Sequence, residues 1–217
     1  MDFSAARRNM VDGQILTNKV TDERIISAMS DLPRENFVPK PLRGIAYVDE
    51  AVELGDGRYI MEPMVVARLM ESLDLKPSDV ALSIGCGTGY GVAILASIVN
   101  TVVAVESSNS LAQNTSRTLA DLDINNVVVV EGALNRGYAK QAPYDVIFFD
   151  GAVHDVPKSI LVQLADQGRA AVIVRDRAGI GRGRLYLRTG DHISSRELFD
   201  AGTPDLPGFD VDKVFCF

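Results

Sequence analysis

The sequence predicts an α/β fold, a Rossmann-like doubly wound sheet with helices on both faces, preceded by a helical and loop appendage. Between residues 80 and 174, apolar segments rich in Val and Ile alternate with helical or mixed segments. Segments that are apolar on both faces are typical of parallel strands covered by helices. A glycine-rich turn joins the first apolar segment to a helical pattern, at the place where such folds bind nucleotides.

Residues 1–62 are predicted to form the appendage, a lid on the substrate side, and residues 63–217 the Rossmann-like domain. Apolar residues from Phe3 to Ile15 share a helical face, and Thr21 is predicted to cap a second helix. Prolines at positions 33, 39 and 41 then break the chain into short pieces. Tyr47 to Ile60 reads as a loop or hairpin whose turn is Gly55-Asp56-Gly57.

Pro63 is well placed to begin a helix, and the alternation of strands and helices follows it. The predicted strands are Val80–Ile84, Thr101–Val105, Asn126–Val130, Tyr144–Phe149 and Ala170–Val174. The helical or mixed segments between them are 91–98, 108–122, 133–142 and 157–165. Arg184–Arg188 and Asp212–Phe217 are candidates for edge strands, paired as a hairpin.

Composition excludes several classes of function. A chain of 217 residues with 47% hydrophobic and 24% charged residues can bury one substantial core. A formal net charge of −7 argues against nonspecific nucleic-acid binding, which needs a basic face. No apolar run approaches the roughly 20 residues that span a bilayer. The start of the chain lacks the pattern of a secretory signal, and Cys86 and Cys216 lack framework spacing. We therefore expect a cytoplasmic protein.

The glycine turn and one acidic residue predict the cofactor. Gly85, Gly87 and Gly89 follow a G-x-G-x-G spacing, and Tyr90 stands where the dinucleotide fingerprint has its third glycine. Glu106 ends the next predicted strand, 21 residues after Gly85, where an acidic residue accepts hydrogen bonds from ribose hydroxyls. Because Tyr90 disfavours close approach of a pyrophosphate, the pattern favours S-adenosylmethionine over NAD.

The chain resembles the protein-L-isoaspartate O-methyltransferase family from about residue 7 to 175. The similar segments are Arg8–Val11, Leu32–Pro39, Ala46–Asp49, Leu54–Gly57 with Pro63, Ile84–Tyr90 and Val105-Glu106. The resemblance implies an enzyme that uses S-adenosylmethionine to methyl-esterify isoaspartyl carboxylates in damaged proteins. The cofactor-binding positions that it implies are Gly85, Cys86, Gly87, Tyr90, Glu106, Gly132, Ala133 and Asp150. Tyr47, Asp49 and Arg58 are the expected substrate residues. Arg58 is interpreted either as a cation that pairs with an acidic substrate or as a solvated loop charge.

The chain departs from the family at the catalytic loop and beside the cofactor. Where the family has Gly-Gln-Thr-Ile-Ser-Gln-Pro, this chain has Gly57-Arg-Tyr-Ile-Met-Glu-Pro63, so Tyr59 and Met61 replace the hydroxyl residues. Ser83 replaces an acidic residue, and Ala133 replaces the Asp that contacts the adenosine. A carboxylate acceptor is ionised at neutral pH and needs no general base, so the loss removes an orienting hydrogen bond. Tyr59 is a candidate source of a replacement hydroxyl.

Two other functions remain open from the residues. Asp150, His154 and Asp176 follow strands at the ligand-binding edge and are candidate ligands of Mg²⁺ in a metal-dependent small-molecule O-methyltransferase. The favoured interpretation is that these three residues are ordinary strand-end and loop side chains that bind no metal. Met61 and Ala133 are compatible with a non-catalytic S-adenosylmethionine-binding module. A cluster of arginines between positions 175 and 188 is interpreted as a solvated hairpin, with acidic substrates or RNA as the alternative.

Overall fold

The structure, a computed structural model, describes residues 1–209. Its strands are β1 (Val52–Gly55), β2 (Arg58–Ile60), β3 (Val80–Ile84), β4 (Thr101–Glu106), β5 (Val127–Glu131), β6 (Tyr144–Val153), β7 (Leu164–Arg175), β8 (Gly181–Thr189) and β9 (His192–Ala201). Its α-helices are α1 (Phe3–Met10), α2 (Glu23–Asp31), α3 (Pro63–Ser72), α4 (Tyr90–Ala96), α5 (Asn109–Asp121) and α6 (Lys158–Leu161).

The seven later strands form one sheet in the order β5-β4-β3-β6-β7-β8-β9, and β1 and β2 form a separate antiparallel hairpin. Strands β3 to β7 are parallel, while β8 and β9 are antiparallel to their neighbours. The strand order reverses at β3, which lies between β4 and β6. The predicted Rossmann-like sheet is therefore confirmed, and its ligand crevice is expected at the carboxyl ends of the strands beside this reversal.

Alternate residues of the central strands enter two apolar clusters, one on each face of the sheet. Ala81 and Val146 belong to the cluster that contains α2, α3 and α4, whereas Leu82 and Ile147 belong to the cluster that contains α6. Apolar residues from the first 62 positions share the first of these clusters with α3 and α4. The appendage thus packs into the same core as the sheet, and the boundary at residue 62 stays a prediction.

The second helix begins one residue later than predicted. Asp22, not Thr21, is its N-cap, and the Asp22 carboxylate accepts a hydrogen bond from the Arg24 amide at 2.9 Å. Thr21 is used elsewhere, because its amide and hydroxyl both donate to the Glu71 carboxylate.

Two later helical segments are shorter than the sequence pattern indicates. Segment 133–142 forms only two 3₁₀ turns, which are separated by Gly137 at a φ of 57°. Segment 157–165 contains α6, but β7 already begins at Leu164. The segment Arg184–Arg188 is confirmed as part of an edge hairpin, although its partner is β9. The other predicted edge segment, Asp212–Phe217, lies outside the described residues.

Candidate cofactor site

The glycine turn connects β3 to α4 at the point where the strand order reverses. The amides of Gly85 and Cys86 donate to the carbonyl of Val105 on β4, at 2.9 and 3.3 Å. Gly85 has a φ of 76°, a conformation that residues with a Cβ rarely adopt. The turn is therefore held against the end of β4, where Glu106 lies.

Glu106 is fully buried at the end of β4 and receives backbone hydrogen bonds from two directions. One carboxylate oxygen accepts from the amide of Gly87 at 2.8 Å. The other accepts from the amides of Ser107 and Ser108, at 2.8 and 3.1 Å. These donors stabilise an ionised carboxylate beside the glycine turn, which is the arrangement that accepts ribose hydroxyls in nucleotide-binding folds.

Arg58 occupies the space in front of this carboxylate. Its Nη1 donates to Glu106 at 3.0 Å, and its Nη2 donates to the carbonyl of Gly85 at 2.8 Å. The side chain is only 3% exposed, so Arg58 is not a solvated loop charge. In this structure an internal carboxylate pairs with its guanidinium, so the expectation that Arg58 pairs with an acidic substrate stays a prediction.

Leu206 was not predicted from the sequence as part of the site. Its side chain lies against Gly85 and Gly151, where an added Cβ would approach Leu206 to 2.5 and 2.6 Å. Backbone hydrogen bonds between Ala152 and the segment that carries Leu206 hold the side chain in place, at 2.7 and 2.9 Å. The sequence signal is a lone Leu between Pro204 and Pro207-Gly208 after the last strand, which predicts a turn but no partner.

Asp150 lies inside β6 and not after it, because this strand continues to Val153. Its carboxylate packs against α4, where a Cβ at Gly91 would lie 2.8 Å from Oδ2. Burial raises the pKa of Asp150 to about 7, against the opposing effects of the Arg58 and Arg34 guanidiniums. A protonated Asp150 at the crevice can donate a hydrogen bond as well as accept one.

The raised pKa predicts a specific pH dependence of stability. Between pH 4 and 7 the unfolded chain releases a proton that folded Asp150 retains, so this group lowers the free energy of unfolding as pH rises. The Asp150→Asn variant lacks this effect. Its stability advantage over the original chain is expected to grow by about 3 kcal/mol between pH 5 and pH 8.

Urea denaturation of both proteins at the two pH values measures this difference. Asp191→Asn, on an exposed loop, serves as the control, and its difference from the original chain is expected to be the same at both pH values. A difference for Asp150→Asn that is also independent of pH would show that Asp150 is ionised in the folded protein throughout this range.

Tyr90 and Met61 lie beneath the crevice in contact with a buried arginine. Arg34 donates to the carbonyls of Ala46 and Met61, at 2.6 and 2.7 Å, and its guanidinium lies 4.6 Å from the centre of the Tyr90 ring. Met61 is buried, and its thioether has no hydrogen-bond donor to offer a substrate carboxylate. Tyr59 is half-buried in the hairpin, where it pairs with Glu53 of β1.

The other predicted residues lie around the crevice in different roles. Tyr47 donates its hydroxyl to Glu35 and accepts from Arg7, in a network separate from Glu106. Asp49 accepts from the amide of Met64 at the start of α3, at 3.3 Å. Burial raises the pKa of the Cys86 thiol above its ordinary value, so this cysteine is a space-filling residue of the turn.

The positions that depart from the family pattern offer few polar contacts. The Gly132 amide donates to the Glu106 carbonyl at 3.0 Å, which places Gly132-Ala133 next to the crevice. Ala133 supplies no side-chain polar group there. Ser83 is fully buried, and its hydroxyl has no hydrogen-bond partner among residues 1–209.

The structure does not bring the candidate metal ligands together. Within the part of the chain that the structure describes, no three His, Cys, Asp or Glu side chains form a possible metal site. His154 lies 3.6 Å from Asp205, and Asp176 accepts from the amides of Ala178 and Ile180.

Four arginines of the cluster between positions 175 and 188 form ion pairs or hydrogen bonds within the protein. Arg175, Arg182 and Arg184 pair with acidic side chains, and Arg188 donates to backbone carbonyls.

A parallel sheet whose glycine turn at the strand reversal faces a buried carboxylate defines an α/β protein with a nucleotide-type cofactor site. Residues 5–188 match the family model described as protein-L-isoaspartate(D-aspartate) O-methyltransferase (PCMT). The chain therefore belongs to the PCMT family, whose methyl donor is S-adenosylmethionine.

Individual proteins agree with this assignment. A protein-L-isoaspartate O-methyltransferase from Roseiflexus castenholzii is 38% identical, over 96% of this chain and 94% of its own length. Another from Rhodopseudomonas palustris is 36% identical, over 95% of this chain and 84% of its own length. A solved protein-L-isoaspartate O-methyltransferase superposes with a TM-score of 0.80 at 26% identity, over 93% of this chain and 66% of its own. A structure from Plasmodium falciparum, described as a β-aspartate methyltransferase in complex with S-adenosyl-L-homocysteine, shares the fold with a TM-score of 0.78 at 18% identity, over 95% and 98%.

Proposed function

We propose that this protein methyl-esterifies isoaspartyl carboxylates in damaged proteins, with S-adenosylmethionine as the methyl donor. The observation that carries the proposal is the pairing of family membership with the buried Glu106 beside the Gly85 turn. When bound, the cofactor supplies an electrophilic methyl group on sulfur. Glu106 would accept hydrogen bonds from its ribose, and the turn would hold the rest of the nucleoside against α4.

The acceptor needs no base from the protein, because a carboxylate is ionised at neutral pH. The task of the chain is to hold one oxygen in line with the methyl group and to exclude water. Met61 cannot supply the hydrogen bond that the family's Ser would supply, which leaves Tyr59 as the candidate hydroxyl on the hairpin. We expect a low rate of transfer compared with family members that carry Ser.

The proposed activity is tested with a matched pair of peptides, one containing isoaspartate and the other aspartate at the same position. Incubation with radiolabelled S-adenosylmethionine should give a base-labile methyl ester on the isoaspartyl peptide alone. Absence of ester at enzyme concentrations equal to the peptide would refute the proposal. Equal labelling of both peptides would refute the isoaspartyl specificity.

Among residues 1–209, no helix combines the length and the apolar character needed to cross a bilayer. The proposed substrates are isoaspartyl-containing proteins. The cytoplasmic location expected from the sequence stays a prediction.

A further inference from the structure

The groups that would hold the cofactor's ribose are already bound by the chain itself. Arg58 donates to both acceptors that flank the turn, the Glu106 carboxylate and the Gly85 carbonyl. Leu206 covers the same glycine beside Arg58: a Cβ added at Gly85 would lie 2.5 Å from the Leu206 side chain and 3.3 Å from Nη2 of Arg58. Since Arg58 and Glu106 are both buried, a ribose cannot reach Glu106 while this arrangement lasts.

The two covering side chains lie on separate segments of the chain. Arg58 begins β2, directly after the Gly55-Asp56-Gly57 turn. Leu206 belongs to the segment after β9, which Arg175 holds by an ion pair with Asp205 at 2.7 Å. A hydrogen bond from Thr203 to the Glu62 carboxylate, at 2.8 Å, links this segment to the chain just after the hairpin.

We propose that Arg58 and Leu206 form an autoinhibitory latch that fills the ribose site, so that the cofactor binds only after Arg58 leaves Glu106. This inference rests on the proposed function and adds a regulation of the same site. The exchange is chemically feasible because Glu106 keeps its backbone donors in either state. Ribose hydroxyls would replace the guanidinium, and Arg58 would regain its hydration at the surface.

The hairpin offers a simple route for the opening movement. All three residues of its turn have positive φ, namely Gly55 at 98°, Asp56 at 53° and Gly57 at 69°. The two short strands pair only with each other among the described residues, so the tip of the hairpin can turn outward without breaking strand pairing in the seven-stranded sheet. The apparent affinity for the cofactor then equals the intrinsic affinity multiplied by the fraction of molecules with the latch open.

Calorimetric titration with S-adenosylhomocysteine tests the latch on the full chain. The Arg58→Gln variant, which restores the residue usual in the family, is expected to bind at least about tenfold more tightly than the original chain, because removing the latch removes the closed population. Leu206→Ala is expected to tighten binding in the same direction by a smaller factor. Arg184→Gln removes a different arginine–carboxylate pair on the edge hairpin and should leave the affinity unchanged.

The outcomes separate the latch from the proposed function. Equal or weaker binding by folded Arg58→Gln and Leu206→Ala, with binding intact in the original chain, overturns the latch and leaves the methyltransferase proposal standing. Binding by none of the proteins at millimolar ligand overturns the proposed function, and the latch with it. Circular dichroism melting curves establish that each variant is folded. If Arg58→Gln does not fold, the affinity of Leu206→Ala alone decides whether the latch exists.

Discussion

Replacing Glu106 with Ala is expected to lower the free energy of unfolding by about 3–5 kcal/mol. The substitution leaves the Arg58 guanidinium buried without its carboxylate, and it removes the acceptor for the amides of Gly87, Ser107 and Ser108. Each of these groups would then be desolvated without compensation. A surface ion pair serves as the comparison. Glu197→Ala breaks the exposed pair with Arg184 and should lower the free energy of unfolding by less than about 1 kcal/mol.

A double substitution identifies the cause of this loss. If the uncompensated charge dominates, Glu106→Ala combined with Arg58→Ala will be more stable than Glu106→Ala alone, although Arg58→Ala by itself is destabilising. Urea denaturation of the four proteins measures the coupling between the two side chains. Simple additivity of the two single effects would contradict a direct interaction and would place the loss in the backbone donors instead.

The parallel strands of the sheet could be predicted from the sequence because they are apolar on both faces. Val80–Ile84 was predicted with its observed bounds, and the start of Thr101–Val105 was also correct. Their apolar character follows directly from burial between two layers, so no information from distant residues is needed. Segment 133–142 shows the opposite case, because its helical pattern is interrupted by Gly137 and only the fold decides how the chain continues.

The contents of the crevice depend on contacts between distant parts of the chain. Glu106 and the glycine turn were predictable because the cofactor fixes their spacing. The sequence alone indicates a solvated loop charge or a substrate contact for Arg58, since an arginine is rarely buried without a partner. Its carboxylate partner is 48 residues away, and only the folded chain brings the hairpin and the end of β4 together. Leu206 likewise gave a turn signal but no partner.

Replacing Arg34 with Ala is expected to cost about 3 kcal/mol or more, since hydrogen bonds from a charged group contribute about 1.5–3 kcal/mol each. Arg34 is fully buried, and burial lowers its pKa below the ordinary value. Its stabilising contacts are the carbonyls of Ala46 and Met61 and the face of Tyr90. Without Arg34 both carbonyls lose their donor, and a cavity opens above Tyr90.

Arg34→Met distinguishes these contributions, because the Met side chain fills much of the volume but donates no hydrogen bond. We expect Arg34→Met to recover only the part of the free energy of unfolding that the Ala variant loses to the cavity. Its stability in urea should therefore lie between those of the Ala variant and the original chain. Equal stability of Arg34→Met and the original chain would show that the two carbonyl hydrogen bonds contribute nothing net. Because these bonds fix the two ends of the segment from Ala46 to Met61, both variants should also be cleaved faster by protease within that segment. That segment carries Arg58, so a loosened Arg34 anchor should weaken the hold of Arg58 on Glu106 as well.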